Sequence, residues 1–365
     1  MKYLFINSVY GVGSTGKIIY KKCHELIEQG NICVVAYGRE TIIDDAVNLI
    51  KIGNKKDYLI HAGISRLLDC QGFLSGNATK KFLKKIEESM PDIIWLHNIH
   101  GYYINIKLLF EWLKKHPDVK VLWTMHDCWS FTGHCSHFTL AKCDRWKDGC
   151  FSCPQKKEYP KSFFVDRSKQ NYMLKKSIFT GVSNLNVLTP SKWLADLVKK
   201  SFLNEYNVEV HHNTIDYTIF KPTKSNFRKD YKLESKKMVL GVATSFEETK
   251  GFYDMLMLRE KLDNSYEIVL VGLTEKQILQ LPEGITGLKR TKNQTELAGI
   301  YTTADVFVNP THQDNFPTVN LEARACGTTA ITYNVGGSPE GVASDCVVQE
   351  GDIDALVKKI KSVCE

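Results

Sequence analysis

No apolar stretch of the sequence approaches the ~20 residues that a helix needs to span a bilayer, so a transmembrane segment is not expected. The opening MKYLFINSVYGVG is a short apolar run ended by glycines. It lacks the longer apolar region and cleavage site of a signal peptide and instead predicts a first buried strand. No low-complexity tract or internal repeat stands out. These absences favour a globular protein of the cytoplasm.

Nucleic-acid binding is not expected either, because the basic residues are dispersed and accompany no recognition motif. The net charge is +7, and much of it lies on two helical-looking stretches, 80–89 and 111–120. Such stretches are typical of solvated helix faces. The alternative is weak adhesion to anionic lipid headgroups, which would place the protein peripherally at the inner face of the cell membrane.

Predicted strands and helices alternate along the chain, and the alternation restarts once. A single core rarely grows beyond ~250–300 residues, so a chain of 365 residues predicts two domains. We predict an α/β fold of two Rossmann-like, doubly wound domains that face each other across a cleft. The first covers residues 1–215, with a cysteine-rich insertion at 128–160, and the second covers 216–351. The helix at 352–365 is free to pack back on the first domain.

The stretch HQDNFPTVNLEARACG (312–327) carries two carboxylates eight residues apart, Asp314 and Glu322. Asp314 follows a predicted strand, and a helix from Phe316 would turn its free N–H groups toward the crevice, where they suit an anion. The alternative is that Asp314 only caps the helix and that Glu322 is an ordinary surface residue. Against it, the helix is otherwise apolar and small, so Glu322 needs polar partners, which the hydroxyls of a ribose would supply.

The stretch GVGSTGKI (11–18) fits three interpretations. A P-loop fails, because Ile18 stands where Ser or Thr would bind Mg²⁺. A dinucleotide fingerprint, with Glu40 as the acid after the second strand, would make the protein an NAD(P)-dependent oxidoreductase and stays open. The third is a loop that closes over a sugar nucleotide and approaches its phosphate with Gly13, Thr15 and Gly16.

Polar residues also follow two strands of the first half. His97 and His100 follow one of them. A lone histidine there is more often structural, but two beside one loop favour a function. His126 and Asp127 end the next strand and are expected to line the same cleft.

Eleven cysteines in a chain without a secretion signal are expected to be mostly thiols or metal ligands. Four of them lie within residues 132–154: Cys135, Cys143, Cys150 and Cys153. Four thiolates can form a tetrahedral structural Zn²⁺ site, with His134 and His137 as spare ligands. A redox or disulfide loop and plain thiols are the alternatives. Zinc is favoured, because so polar a loop needs a cross-link.

Residues 312–327 resemble the Glu-x7-Glu motif of retaining GT-B glycosyltransferases of family 4, the group 1 glycosyl transferases, with Asp314 in place of the first Glu. Further pieces follow in the order of that family: TPSKWLADLV, NTIDYTIFKP, ETKGF, ELAGIYTTADVFVNPT and ITYNVGGSPE. The resemblance covers most of the chain and is tightest over 186–341. The collective order is specific, whereas any one piece alone is not.

The resemblance implies a hexosyltransferase with the GT-B fold and assigns roles to single residues. Glu322 would hold the ribose hydroxyls, and Lys250 would neutralise the diphosphate leaving group. The donor sugar would be contacted or positioned by His97, His100 and Asp314, none of them as a covalent nucleophile. The other donor-site candidates are Gly13, Thr15, Gly16, Arg290, Thr291, Asn315, Phe316 and Thr318, and the acceptor side has His126 and Asp127.

One departure from the family concerns the diphosphate. Many relatives carry an Arg a few residues before the Lys, where this sequence has Thr244–Ser245. Arg290 or an amide of the glycine loop is expected to substitute.

The implied reaction moves a hexosyl unit from a UDP- or GDP-sugar to a glycan or lipid-linked saccharide, in the synthesis of bacterial capsular or other surface polysaccharides. No catalytic metal is implied, and the Asp-x-Asp at 352–354 is interpreted as a helix cap. Besides the oxidoreductase, a zinc-containing carbohydrate-binding protein without catalysis stays open.

Overall fold

The computed structural model describes all residues from Met1 to Glu365. It divides the chain into two compact units, Met1–His211 (unit 1) and His212–Glu365 (unit 2), so the boundary lies at residue 211 and not at 215. No helix of either unit combines the length and the apolar composition needed to cross a membrane.

Unit 1 is built around one parallel sheet. Its strands are β1 (Lys2–Asn7), β2 (Ile32–Tyr37), β3 (Asn48–Lys51), β4 (Ile93–Leu96), β5 (Lys120–Thr124), β6 (Leu185–Thr189) and β7 (Asn207–Val210). They lie in the order β3-β2-β1-β4-β5-β6-β7, with every neighbouring pair parallel. The helices are α1 (Gly13–Glu28), α2 (Lys55–Leu68), α3 (Gly76–Glu87), α4 (Ile106–Lys115), α5 (Ser168–Phe179) and α6 (Lys192–Lys200).

Apolar strands and side-chain caps explain why these elements form. Residues 4–7 of β1 are fully buried, as expected for a parallel strand covered by helices on both faces. Asn105 caps α4 by accepting from the N–H of Leu108 (3.1 Å). Ser191 caps α6 in the same way, with its hydroxyl 3.1 Å from the N–H of Leu194.

Unit 2 repeats this plan with a second parallel sheet. Its strands are β8 (Lys237–Val242), β9 (Tyr266–Val271), β10 (Ile285–Leu288), β11 (Val306–Asn309), β12 (Ala330–Tyr333) and β13 (Val347–Val348), in the order β10-β9-β8-β11-β12-β13. Its helices are α7 (Phe227–Asp230), α8 (Phe252–Lys261), α9 (Glu275–Ile278), α10 (Gln294–Thr303), α11 (Thr318–Ala325) and α12 (Ile353–Cys364).

The last helix belongs to unit 2, although the sequence left it free to pack on the first domain. It contacts α8 and the strands β11 and β12. Leu356 and Ile360 on α12 are fully buried there. Asp352 accepts from the N–H of Ala355 (2.9 Å), so the first Asp of the Asp-x-Asp is a helix cap, as predicted.

The two sheets share one strand order, and in each the order reverses once. The reversal falls between β1 and β4 in unit 1 and between β8 and β11 in unit 2. In open α/β sheets, ligands bind beyond the carboxyl ends of the strands at such a point. The loops after these four strands are therefore where a site is expected in each unit.

Candidate functional sites at the two sheet reversals

The site of unit 2 is built from the loops that follow β8 and β11. Gly251, at the end of the first loop, has φ +75°, and a Cβ there would lie 2.1 Å from the carbonyl oxygen of Pro310. Glycine permits this close approach. The N–H of His312 donates to the carbonyl of Thr249 (3.0 Å), which joins the second loop to the first. Lys250 is thereby fixed where the loops meet.

Lys250 and Asp314 form an ion pair at this junction. The Lys250 Nζ lies 2.7 Å from Asp314 Oδ2 and donates to the carbonyl of Gln313 (3.1 Å). The loop after β12 packs against Asp314, because a Cβ at Gly336 would lie 1.9 Å from its carbonyl oxygen. The structure therefore brings together two of the residues predicted for the donor.

Glu322 lies in the second turn of α11, half-buried, with hydroxyl groups beside its carboxylate. Tyr301 donates to Glu322 Oε2 (3.1 Å), and the Thr318 hydroxyl lies 3.4 Å from Oε1. Tyr301 is fully buried, and burial raises the pKa of its phenol well above the ordinary value, so it stays a donor. The carboxylate is oriented by groups that the sequence did not point to.

His312 holds the loop after β11 through two carboxylates. Its Nε2 lies 2.8 Å from Asp254 on α8, and its Nδ1 lies 2.8 Å from Glu350. The hydrogen bond to Asp254, with help from Glu350, raises the pKa of His312 to about 9. Burial acts to raise the pKa of Asp254, but the hydrogen bonds from His312 and Tyr333 outweigh it and the pKa is lowered. His312 is therefore a cation at neutral pH.

The remaining candidates of unit 2 are spread more widely. Asn315 and Phe316 are buried, and the Phe316 ring stacks on His212 with centroids 4.8 Å apart. Arg290 and Thr291 follow β10, an edge strand that β9 separates from β8. A role for these two in binding the base or the diphosphate stays a prediction.

The glycine loop of unit 1 is tied to the loop after β4 by one side chain. Asn7 ends β1 and is fully buried. It accepts from the N–H of Asn98 (3.1 Å) through Oδ1, and its Nδ2 lies 3.5 Å from the Thr15 hydroxyl. The Gly11 N–H donates to the Gly16 carbonyl (3.0 Å), which closes the loop. Asn7 thus links the loops at the sheet reversal.

The features expected of a dinucleotide site are only partly present. Helix α1 begins at Gly13, inside the glycine stretch, so Thr15 and Gly16 lie in its first turn. Glu40, the expected ribose ligand, is exposed, and its backbone carbonyl accepts from the N–H of Tyr10 (3.0 Å).

His97 and His126 form a stacked pair after β4 and β5. Their ring centroids are 5.2 Å apart, and His97 Nδ1 lies 2.9 Å from His126 Nε2. Burial, with a contribution from His126, lowers the pKa of His97 well below its ordinary value, and burial lowers the pKa of His126 to about 4. Both rings are neutral at pH 7. The Nε2 of His97 is buried without a hydrogen-bond partner.

His100 and Asp127 form a second pair beside the first. His100 Nε2 lies 3.0 Å from Asp127 Oδ2, and its Nδ1 lies 3.1 Å from the Tyr159 hydroxyl, to which Gln71 donates (3.0 Å). Burial acts to raise the pKa of Asp127, but the neighbouring His100 outweighs it and lowers the pKa to about 2. The ionised carboxylate favours a proton on His100 Nε2, so Nδ1 accepts from Tyr159.

The four predicted metal ligands are also close together in unit 1. Cys135, Cys143, Cys150 and Cys153 line one small cavity, and all eleven cysteines of the chain are free thiols in the structure.

Sequence reasoning did not predict the residues that hold these candidates in place: Asn7, Tyr159, Tyr301 and His312. Each acts through a partner far along the chain, for example the Tyr159 contact with His100 and the His312 contact with Asp254. Asn7 carried one usable signal, since it ends a buried strand, the same position that pointed to His97. The others have no local pattern that marks them.

The fold of both units defines the class. Solved structures with this fold include the sucrose-phosphate synthase of Thermosynechococcus elongatus, at TM-score 0.68 and 15% identity, covering 99% of this chain and 89% of that one. HepE of Anabaena, solved with UDP, matches at TM-score 0.64 and 14% identity, again covering 99% of this chain and 89% of that one. The chain has the GT-B fold, two Rossmann-like units with parallel sheets, as predicted.

Sequence comparison points to one family. Residues 223–365 match the model of the glycosyl transferases group 1. A putative colanic acid biosynthesis glycosyl transferase, WcaC of Escherichia coli K12, is 35% identical over 129 residues, 34% of this chain. The match spans 31% of the length of WcaC. The resemblance to group 1 glycosyl transferases is thereby confirmed.

Proposed function

We propose that this protein is a retaining hexosyltransferase that uses a nucleotide-diphosphate sugar, with UDP as the nucleotide. The observation that carries the proposal is the joining of Lys250 and Asp314 at the sheet reversal of unit 2, where the helix that bears Glu322 begins. The family match and the UDP bound to the GT-B neighbour HepE support it.

Glu322 is assigned to the ribose of the donor nucleotide, and Lys250 is assigned to its diphosphate. An ionised carboxylate can accept about four hydrogen bonds, so Glu322 can bind a ribose diol in addition to Tyr301 and Thr318. Lys250 places a compact charge beside the diphosphate. As the glycosidic bond breaks, negative charge grows on the leaving diphosphate, and a cation already in place stabilises it.

Asp314 and His97 would hold the donor sugar. When the diphosphate takes over Lys250, Asp314 can turn its carboxylate to a sugar hydroxyl. The assignment of His97 rests on the family resemblance and on its buried Nε2, which has no hydrogen-bond partner. In a front-face substitution the C1–O bond to the diphosphate breaks, and the acceptor oxygen bonds to C1 on the same face. The acceptor proton passes to the departing diphosphate.

His100, His126 and Asp127 are assigned to the acceptor. The ionised Asp127 favours the His100 tautomer with a proton on Nε2, and one hydrogen bond joins His126 Nε2 to His97 Nδ1 (2.9 Å). The acceptor would be a glycan or a lipid-linked saccharide of surface polysaccharide synthesis, in keeping with the name of WcaC. The glycine loop, with Gly13, Thr15 and Gly16, would approach the donor phosphate.

A turnover assay tests the proposal. The full chain is incubated with UDP- and GDP-sugars and with lipid-linked saccharides from a bacterial membrane extract. We expect release of UDP and a product whose anomeric configuration, read by NMR, matches that of the donor. An inverted product would overturn the retaining assignment. Hydride transfer to NAD⁺ without release of any nucleoside diphosphate would favour the oxidoreductase.

A further inference from the structure

One long segment of unit 1 has no regular structure of its own. Residues 132–167, between the short 3₁₀ helix Trp129–Phe131 and α5, contain neither helix nor strand. Segments of more than ~15 residues without such elements are uncommon inside compact domains. Only isolated backbone hydrogen bonds hold this segment, such as the one from the Cys128 N–H to the Ser136 carbonyl (2.8 Å), so its side chains must supply the rest of the packing.

Aromatic rings form one part of its interior. Trp146 stacks on Phe138 with ring centroids 5.1 Å apart and meets Phe131 edge-on at 5.4 Å. Lys175 on α5 is buried and donates to the carbonyls of Trp129 (2.8 Å) and Thr132 (3.1 Å). The segment is therefore packed against unit 1 from its start.

Four thiols form the other part. Cys135 and Cys150 are buried, Cys143 and Cys153 are half-buried, and all four line one cavity of about 10 Å³. That volume suits a single small ion or one water. Apart from the thiols, the lining is mostly apolar: Thr132, Phe138, Arg145, Trp146, Phe151 and Pro154, with the Arg145 guanidinium donating to the carbonyl of Phe151 (3.0 Å). A buried water needs two to four polar partners, which such a lining supplies poorly. Thiolates are in contrast strong ligands of soft metal ions.

Two backbone N–H groups near the thiols already have defined acceptors. The Gly133 N–H donates to Cys150 Sγ (3.1 Å). A Cβ at Gly133 would lie 2.7 Å from the Cβ of Cys150 and 2.0 Å from the carbonyl oxygen of Ser168, so only glycine brings its amide this close. The N–H of Cys153 donates to Asp166 (2.6 Å), which fixes the backbone of the last thiol. Amide donors to sulfur stabilise thiolate ligands.

We propose that Cys135, Cys143, Cys150 and Cys153 bind one Zn²⁺ ion in a structural site. Four thiolates satisfy its tetrahedral preference, and the Cys-x-x-Cys at 150–153 is a usual ligand spacing. As the side chains stand, no group of three or more His, Cys, Asp or Glu residues is close enough to hold a metal ion. Binding therefore requires the thiols to turn toward the cavity, the half-buried Cys143 and Cys153 above all.

The site would act by ordering the segment that carries Tyr159. The Tyr159 hydroxyl lies 3.1 Å from His100 Nδ1, and the carbonyl of Tyr159 accepts from the N–H of Ser136 (3.4 Å). Zinc would thus support the first unit without taking part in the chemistry.

Metal analysis of the full chain tests whether the four cysteines bind zinc. The protein and its variants are purified under reducing conditions with trace zinc, and bound metal is measured by plasma mass spectrometry. The test variants are Cys143→Ser and Cys153→Ser. Cys364→Ser is the matched control, because Cys364 is equally half-buried but lies in α12. We expect about one zinc per chain in the wild type and control, and under about a fifth of that in the test variants.

Two measurements on the wild type do not depend on whether a variant folds. Modification of the thiols by a mercurial should release zinc to a metal-sensitive dye, and cobalt in place of zinc should show thiolate-to-cobalt charge-transfer absorption. A folded wild type that binds neither zinc nor cobalt, with its cluster thiols free to react or oxidised to disulfides, would overturn the proposal. Retention of zinc in both test variants would do the same.

Discussion

At the scale of the residue, Lys250 makes a weak ion pair that its proposed role would break. Its ion pair with Asp314 is partly exposed, with 34% and 23% of the two side chains accessible. Pairs of this kind add little to stability, typically ~0–1 kcal/mol. A diphosphate carries more charge than one carboxylate, so it can replace Asp314 at Lys250 at small cost.

Replacing Lys250 distinguishes its proposed role in sugar transfer from its contribution to the stability of the fold. Lys250→Met should lower kcat for sugar transfer by about 10²–10³-fold, as removal of one electrostatic stabiliser does elsewhere. The free energy of unfolding should change by less than about 1 kcal/mol. Steady-state kinetics and urea unfolding measure the two quantities.

Lys276→Met serves as the matched control, because Lys276 is an exposed lysine of α9 in the same unit. It should leave kcat unchanged. Equal turnover of Lys250→Met and the control would remove Lys250 from the mechanism.

At the scale of the element, the loop after β11 depends on a histidine that ties it to α8. His312 lies between Asp254, only 5% exposed, and Glu350. Removing the histidine would leave a buried carboxylate with less compensation, which is costly. The loop that carries Asp314 is thus held by charge as well as by packing.

The stability of this arrangement should depend on pH in a defined direction. The pKa of His312 is raised from 6.5 to about 9, so its contribution is fully present below pH 6.5 and is lost as pH rises toward 9. The loss amounts to about 3 kcal/mol. His312→Asn should therefore be most destabilising below pH 6.5 and less destabilising above pH 9, where only the hydrogen bond of the neutral ring to Asp254 is lost, as measured by urea unfolding across the range.

His211→Asn is the control, since His211 is an exposed histidine paired only with Glu209 on the surface of unit 1. Its unfolding free energy should follow that of the wild type at every pH. A pH-independent effect of His312→Asn would show that the ion pairs do not stabilise the loop.

The strands at the centre of each sheet could be predicted from the sequence, whereas the strands at the edges could not. A continuous apolar run predicted β1, and β8 has such a run as well; both strands are mostly buried. The edge strands β3 and β7 have no apolar run that could mark them, because their residues are exposed or half-buried. Helix α11 begins at Thr318 and not at the predicted Phe316, since Pro317 disfavours the helical conformation in the residue before it.

At the scale of the whole molecule, the alternation of strands and helices was enough to predict two doubly wound units. The shared strand order explains why the polar loops of each unit gather at one reversal. The sequence does not predict which residues far apart along the chain contact the candidate site residues. Tyr301 reaches Glu322 from another helix, and Tyr159 reaches His100 from a segment without regular structure. Such contacts arise from tertiary packing.

Nucleotide-dependent thermal unfolding tests the central claim, a nucleotide-sugar site built on Glu322, most directly. Wild type, Glu322→Gln and the control Glu260→Gln, an exposed residue of α8, are melted with UDP, GDP, ADP or NAD⁺. A ligand at ~100 times its Kd should stabilise by about 2.7 kcal/mol. We expect UDP to raise the midpoint of wild type and control, and to raise that of Glu322→Gln little or not at all. Stabilisation by NAD⁺ alone, or by UDP equally in all three proteins, would contradict it.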